Sequence, residues 1–136
     1  MGATVEWYNS SEKIIYWHFD NEWTWEEYHA CVAQVKQMSS SKIGQSIDII
    51  MDLSRNRIFP HDLVNNLRKA QELEDPERGH MLVVVGNDVV NGIVRLARTI
   101  NRKLATHYYS ARSVESAVQL IQAKRSGMDK HSYSSE

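Results

Sequence analysis

Side chains that could bind anions or transfer protons gather at the end of one apolar stretch of the sequence. Residues 46–54 read SIDIIMDLS, an apolar run that ends in polar residues. The polar side chains at its end and just beyond it are Asp52, Ser54, Arg55, Arg57 and His61. Arginine forks bind phosphate and carboxylate groups, so this segment predicts an anion-binding loop. The alternative is a local salt bridge between Asp52 and the arginines in a solvated loop.

Asp52 and Ser54 could also form a hydrolase-like triad with His61 or His107. A nucleophilic serine needs a sharp turn that exposes its hydroxyl, and the sequence has no Gly-x-Ser-x-Gly elbow. Ser54 is therefore predicted to be a turn or cap residue. We predict no catalytic residue and a protein that is not an enzyme.

The sequence offers no strong metal or cofactor site. Glu26 and His29 have the i, i+3 spacing of di-iron ligands, but a second such pair is not evident, so a surface pair is expected. The one cysteine, Cys31, excludes an internal disulfide and a multi-cysteine zinc site, and it is expected to be a small apolar core residue. No metal ligand and no cofactor are predicted.

The periodicity of apolar residues predicts the elements that position these side chains. Two aromatic and β-branched runs, at 4–8 and 13–19, predict a hairpin. The pattern Thr24-Trp25-Glu26-Glu27 is typical of a capping box that begins a helix, and Trp23 and Tyr28 have the spacing of a hydrophobic staple. Pro60 and Asp62 are predicted in the first turn of a second helix.

The rest of the chain alternates between strands and helices. Strands are predicted at 80–85 and 106–110, with a third helix capped by Asn87 or Asp88 and a fourth capped by Ser113. The order is β-β-α-β-α-β-α-β-α. It predicts an α/β fold with a mostly parallel central sheet, an N-terminal hairpin and flanking helices, with 46–54 as the central strand.

This architecture places the polar side chains at one edge of the sheet. Ligands of open α/β sheets bind beyond the carboxyl ends of the parallel strands. The turn after the strand at 80–85 adds Asn87 and Asp88 to the group that follows the central strand. The predicted ligand- or partner-binding residues are Asp52, Ser54, Arg55, Arg57, His61, Asn87 and Asp88.

Length and charge set outer limits on the function. The chain has 136 residues and a net charge of −1, which predicts one domain over 1–125 and a disordered tail over 126–136. The charge balance and the lack of a reader motif argue against nucleic acid as a partner. No signal peptide and no apolar run of about 20 residues is seen, so no transmembrane segment is expected and a cytoplasmic location is the default.

Two further surfaces are candidates for partners. Tryptophan and tyrosine crowd the N-terminal quarter, where they are either core or an exposed surface for a homodimer or another partner. Arg95, Arg98 and Arg102, with Lys103 beside them, recur at helical spacing, and they form either a solvated face or a contact for an acidic partner.

The order of elements resembles the STAS / SpoIIAA-like domain family over about residues 4–125. Three segments carry the resemblance, namely FDNEWTWEE at 19–27, IIMDLS at 49–54 and SVESAV at 113–118. The resemblance implies a regulatory protein, since anti-sigma-factor antagonists of this family change partners when a serine after the central strand is phosphorylated. Residues 55–75 contain no serine or threonine. A related branch is grouped with lipid-binding folds, which implies an apolar ligand.

These observations lead to one hypothesis and two rivals. The leading hypothesis is a non-enzymatic regulatory or interaction module that binds a protein partner or a small ligand at the loop after the central strand. The first rival is a dimeric carrier of a lipid or other small apolar molecule, with a cavity between the hairpin and helices two and three. The second rival is an enzyme of unknown reaction.

Overall fold

The computed structural model describes residues 2–9, 13–40, 47–68, 81–100 and 108–126. In chain order the elements are β1 (Ala3–Asn9), β2 (Ile14–Phe19), α1 (Trp25–Ser40), β3 (Asp48–Asp52), α2 (Leu63–Arg68), β4 (Leu82–Val85), α3 (Asp88–Ile100), β5 (Tyr108–Ala111) and α4 (Val114–Arg125). The predicted tail beyond Ser126 lies outside the described residues.

The strands form one mixed sheet in the order β1-β2-β3-β4-β5. β1 and β2 pair antiparallel as a hairpin, and the pairs β2–β3, β3–β4 and β4–β5 are parallel. All residues of β3 are buried, as expected for a strand with apolar side chains toward both faces. The α/β class, the mostly parallel sheet and the central place of this strand are therefore confirmed.

Helices cover the two faces of the sheet unequally. The larger core cluster joins one face to α1 and α3, through residues such as Trp17, Val32 and Val94. The smaller cluster joins the other face to α4, which packs on β3, β4 and β5. On this second face, Tyr16 and His18 of β2 are half-buried and Tyr8 of β1 is exposed.

The aromatic residues of the N-terminal quarter are divided between core and surface. Trp17 and Trp23 are buried in the larger cluster, and Trp7 and Trp25 pack against it while partly exposed. Tyr8 is 47% exposed on the edge strand β1. Most of the aromatic crowding thus builds the core, as aromatic rings with large apolar area usually do.

The start of α1 has the predicted capping box. The amide of Glu27 donates to Thr24 Oγ1 over 3.1 Å, and the amide of Thr24 donates back to Glu27 Oε1 over 2.9 Å. The second carboxylate oxygen of Glu27 accepts the amide of Gly2 over 2.9 Å. Trp23 and Tyr28 also meet as predicted, with ring centroids 6.2 Å apart. The helix start therefore also holds the N-terminal segment in place.

The second helix begins later than the sequence predicts. α2 begins at Leu63, so Pro60 and Asp62 lie before the helix rather than in its first turn. Asp62 adopts a left-handed φ of 64°, which aspartate tolerates better than most residues. Its carbonyl accepts the amide of Asn66 over 3.1 Å. The proline ring fits an extended segment as well as a helix start, and the left-handed residue delays the helix.

An ion pair between a buried carboxylate and an exposed arginine fastens the last turn of α4 to the sheet. Asp48, the first residue of β3, is 2% exposed, and its Oδ2 accepts Arg125 Nε over 2.7 Å. The other oxygen of Asp48 accepts the amide of Met81 over 2.8 Å. Arg125 Nη2 also donates to the carbonyl of Lys13 over 3.2 Å. Four segments of the chain therefore meet at this ion pair.

Candidate binding site at the carboxyl ends of the strands

The loop after β3 is built around a buried asparagine. Asn56 is fully buried; its Oδ1 accepts the indole N–H of Trp23 and its Nδ2 donates to the carbonyl of Phe19. Its own carbonyl accepts Asn87 Nδ2 over 2.8 Å. Buried amides are costly unless paired, so these bonds fix the path of the loop. No local sequence pattern indicates the partners of Asn56, which are distant in the chain.

Asp52 lies at the end of β3, on the less covered face of the sheet, where it accepts three hydrogen bonds and has a histidine ring nearby. Ser54 donates to Asp52 Oδ1 through its amide over 3.1 Å and through its hydroxyl over 2.7 Å. The Tyr16 hydroxyl donates to Oδ2, and His18 Nδ1 lies 4.0 Å from the same oxygen. His18 Nε2 in turn lies 3.0 Å from Asp20 Oδ1. The predicted alternative, in which Asp52 pairs with the arginines, is replaced by this Tyr-Ser-His network.

The network holds Asp52 in its charged form. Burial raises the pKa of this carboxyl, but hydrogen bonds from Ser54 and Tyr16 and the nearby His18 lower it by more. The net pKa is therefore below the usual value. Burial and the neighbouring carboxylate both raise the pKa of the Tyr16 phenol, so this group remains a donor.

Three of the predicted binding residues point to solvent from the loop. Arg55, Arg57 and His61 are exposed. Arg57 is positioned by its amide, which donates to Asn21 Oδ1 over 3.1 Å, and His61 by its carbonyl, which accepts Trp25 Nε1 over 2.7 Å. Backbone bonds thus hold Arg57 and His61 in place. The side chains of all three residues face solvent and do not belong to the Asp52 network.

Asn87 and Asp88 have different places in the turn after β4. Asn87 Oδ1 accepts the amide of Val90 over 3.0 Å, so Asn87 rather than Asp88 caps α3. Asn87 Nδ2 donates to the carbonyl of Ser54 over 3.1 Å, as well as to that of Asn56. Asp88 is exposed in the first turn of the helix. The structure brings Asp52, Ser54 and Asn87 together, as predicted for one sheet edge, but their side chains are used to hold the loops.

An apolar cavity of about 80 Å³ lies beside this loop, between the sheet, α1, α2 and α3. Its aromatic wall consists of Phe19, Trp23, Trp25, Tyr28 and Phe59. Its aliphatic wall includes Met51, Leu53, Val90, Val94 and Ala97. Next to the lining residue Phe59, Ile58 is 64% exposed. The loop therefore offers apolar contacts as well as the polar side chains that the sequence singled out.

The remaining catalytic and metal hypotheses have little geometric support. The Ser54 hydroxyl is bonded to Asp52, and His107 lies outside the described residues. Glu26 and His29 are exposed on α1, and Cys31 is 4% exposed in the core. Over the described ranges, no three or more His, Cys, Asp or Glu side chains are grouped as metal ligands would be. Burial raises the pKa of the Cys31 thiol, as expected for an inert core cysteine.

Within the part of the chain that the structure describes, no helix is long and apolar enough to cross a membrane. Comparisons of the chain with models of protein families, with curated proteins and with solved structures found no match.

Proposed function

We propose that this protein is a non-enzymatic interaction module of the STAS-like type, which binds an apolar group of a protein partner or small ligand beside the loop after the central strand. The observation that carries the proposal is the apolar cavity lined by Trp23, Trp25 and Phe59. Binding sites are usually concave and mostly apolar, with a few polar groups at the rim. The exposed Ile58 at the same loop supports the proposal, since it adds apolar surface for a ligand to cover.

The size of the cavity favours an interaction module over a lipid carrier. Its volume is about 80 Å³, whereas a cavity of roughly 150 Å³ is known to accommodate benzene. The cavity therefore suits one short aliphatic group or the end of a ligand, and it is too small for a lipid chain. An anchoring side chain from a partner is a group of this kind.

The STAS-like assignment is part of the same proposal. It is supported by the N-terminal hairpin followed by strict alternation of strands and helices, and by the sequential strand order of the sheet. The absence of serine and threonine from residues 55–75 favours regulation by binding rather than by phosphorylation of this loop.

Small apolar probes test the cavity directly. Xenon and isobutanol should bind the wild-type protein, detected by NMR shifts of the methyl groups that line the cavity. Ala97 lines the cavity, so Ala97→Leu should fill it and abolish the probe shifts. Ala33 is exposed on α1, so Ala33→Leu is a matched control that should bind as wild type does.

A second variant tests the rim without disturbing the core. Ile58→Ser should leave the free energy of unfolding within about 0.5 kcal/mol of wild type because its side chain is exposed. The partner to use is one that affinity capture recovers with the wild-type protein and does not recover with Ala97→Leu. Ile58→Ser should weaken the binding of that partner. Probe binding that is unchanged in Ala97→Leu, or absent in wild type, would refute the proposal.

A further inference from the structure

A second concave surface lies on the other side of α3 from the apolar cavity. It is a groove of about 800 Å³ between α3 and the end of β5. Its charged and hydroxyl side chains are those of Arg95, Arg98, Arg112, Asp88 and Ser110. Val94 and Ala111 contribute apolar surface. We call it the arginine groove.

The charge of the arginine groove is unbalanced. Its described lining contains three arginines and one aspartate. Arg95 and Arg98 are three residues apart on α3, where like charges repel each other. No carboxylate among the described residues pairs with Arg95 or Arg112. Holding Arg95 and Arg112 in one groove costs free energy when no described carboxylate pairs with either, and an anion bound between these two side chains would offset that cost.

The position of the arginine groove in the fold also suits an anion. It lies at the carboxyl ends of β4 and β5, the edge where open α/β sheets bind ligands. Gly86 and Asn87 place the N-terminus of α3 in its wall, and a helix N-terminus attracts negative charge. Asn87 already caps the amide of Val90, so the arginines provide most of the recognition.

We propose that the arginine groove binds a small molecule that carries a phosphate monoester. Guanidinium groups match phosphate oxygens in pairs of parallel hydrogen bonds, and several of them can neutralise a dianion. The groove volume lies within the roughly 300–1,000 Å³ typical of small-molecule sites. The phosphate lies between Arg95 and Arg112, and the body of the molecule lies on Val94 and Ala111.

This proposal is independent of the apolar cavity and is tested with phenyl phosphate and inorganic phosphate. Calorimetric titration should give saturable binding that weakens as salt is added. Arg95→Gln and Arg112→Gln should each weaken binding by about tenfold or more, because each removes charge-assisted hydrogen bonds. Both side chains are exposed, so the variants should keep the thermal stability of wild type.

Two controls separate a site from general attraction of anions. Lys36 is exposed on α1, so Lys36→Gln removes one positive charge elsewhere and should leave the affinity unchanged. Phenol, which lacks the phosphate, should not bind to the groove. Absence of saturable binding, or equal affinity in the Arg95→Gln/Arg112→Gln double variant, would overturn the proposal.

A lipid headgroup can also carry a phosphate monoester, and a vesicle experiment distinguishes a lipid from a soluble ligand. Vesicles that contain phosphatidic acid should retain the protein only if the phosphate is presented at a membrane. Titration by soluble phenyl phosphate without retention on vesicles would assign the groove to a soluble ligand. Retention that persists in the double variant would contradict the role of these arginines.

Discussion

At the scale of single residues, the most constrained group in the loop is the Asn56 amide. It satisfies the buried indole N–H of Trp23 and donates to the carbonyl of Phe19. The sequence could not reveal this role, because the partners lie 33 and 37 residues away. Asp52 was identified as a functional candidate for its position at a strand end, but its partner Tyr16 is also 36 residues away. Local pattern gives the place of a side chain along an element, while its partners depend on how distant elements meet.

Replacing Asn56 should destabilise the protein strongly. Asn56→Ala leaves the Trp23 N–H buried without an acceptor, which costs about 1–3 kcal/mol in free energy of unfolding. Urea denaturation measures this change. Asn65→Ala is the control, since Asn65 is exposed and bonds only locally to Asp62. Similar costs for the two variants would show that the buried bonds do not hold the loop.

The lowered pKa of Asp52 predicts a pH dependence of stability. The carboxyl binds protons less readily in the folded state than in the unfolded state, where its pKa is about 3.9. The Asp52 network therefore stabilises the fold fully above that pH and progressively less as pH falls through the folded pKa.

The difference in unfolding free energy between wild type and Asp52→Asn isolates this contribution. It should be about 1.5–3 kcal/mol at pH 6 and should shrink toward pH 2, because hydrogen bonds to a charged group are lost on protonation. Urea titrations at several pH values measure it. A difference that stays constant with pH would show that the charge of Asp52 is not what stabilises the loop.

At the scale of elements, the reliable predictions were those that a local pattern determines. The apolar residues of 46–54 predicted that β3 is buried on both faces, and the capping box predicted the start of α1. The start of α2 was misplaced because Pro60 fits both an extended segment and a helix, and only the left-handed Asp62 decides between them. The apolar cavity was only broadly foreseeable, since its walls come from six separate elements and the loops between them.

Two glycines, one before α3 and one within it, are expected to respond in opposite ways to replacement by alanine. A Cβ on Gly86 would lie 2.4 Å from Val90 Cγ1, so Gly86→Ala should destabilise the protein by about 1–3 kcal/mol through overpacking. A Cβ on Gly92, within α3, would meet nothing within 4 Å. Gly92→Ala should therefore stabilise by about 0.5–1 kcal/mol through helix propensity. Thermal denaturation of both variants checks the pair, and a shift of the same sign in both would contradict it.

The ion pair at the end of α4 predicts a cost for losing Asp48. Asp48→Ala removes the acceptor of Arg125 and of the Met81 amide, so we expect a loss of about 1–3 kcal/mol, because the Met81 amide loses its acceptor while Arg125 keeps access to water. Asp88→Ala is the control, because Asp88 is exposed. Hydrogen exchange should show faster opening of α4 in Asp48→Ala, and unchanged exchange there would refute the role of the pair.

At the scale of the whole molecule, the two faces of the sheet have different coverage. α1 and α3 complete a large apolar layer on one face, while α4 covers β3, β4 and β5 on the other. The hairpin side of the second face keeps half-buried and exposed polar groups, among them Tyr16, His18 and Tyr8. β1 is an edge strand because it pairs only with β2 in the described sheet. Both described cavities lie toward the strand ends rather than on the exposed part of this face.

One side chain of α3 gives the two concave surfaces a common wall. Val94 lines both the apolar cavity and the arginine groove. If a guest on one side displaces this helix, the other side must change shape, and thermodynamic reciprocity requires each guest to alter the affinity for the other by the same factor. Titrating phenyl phosphate with and without isobutanol would measure that factor. A ratio of one between the two affinities would mean that α3 is rigid and that the apolar cavity and the arginine groove bind independently.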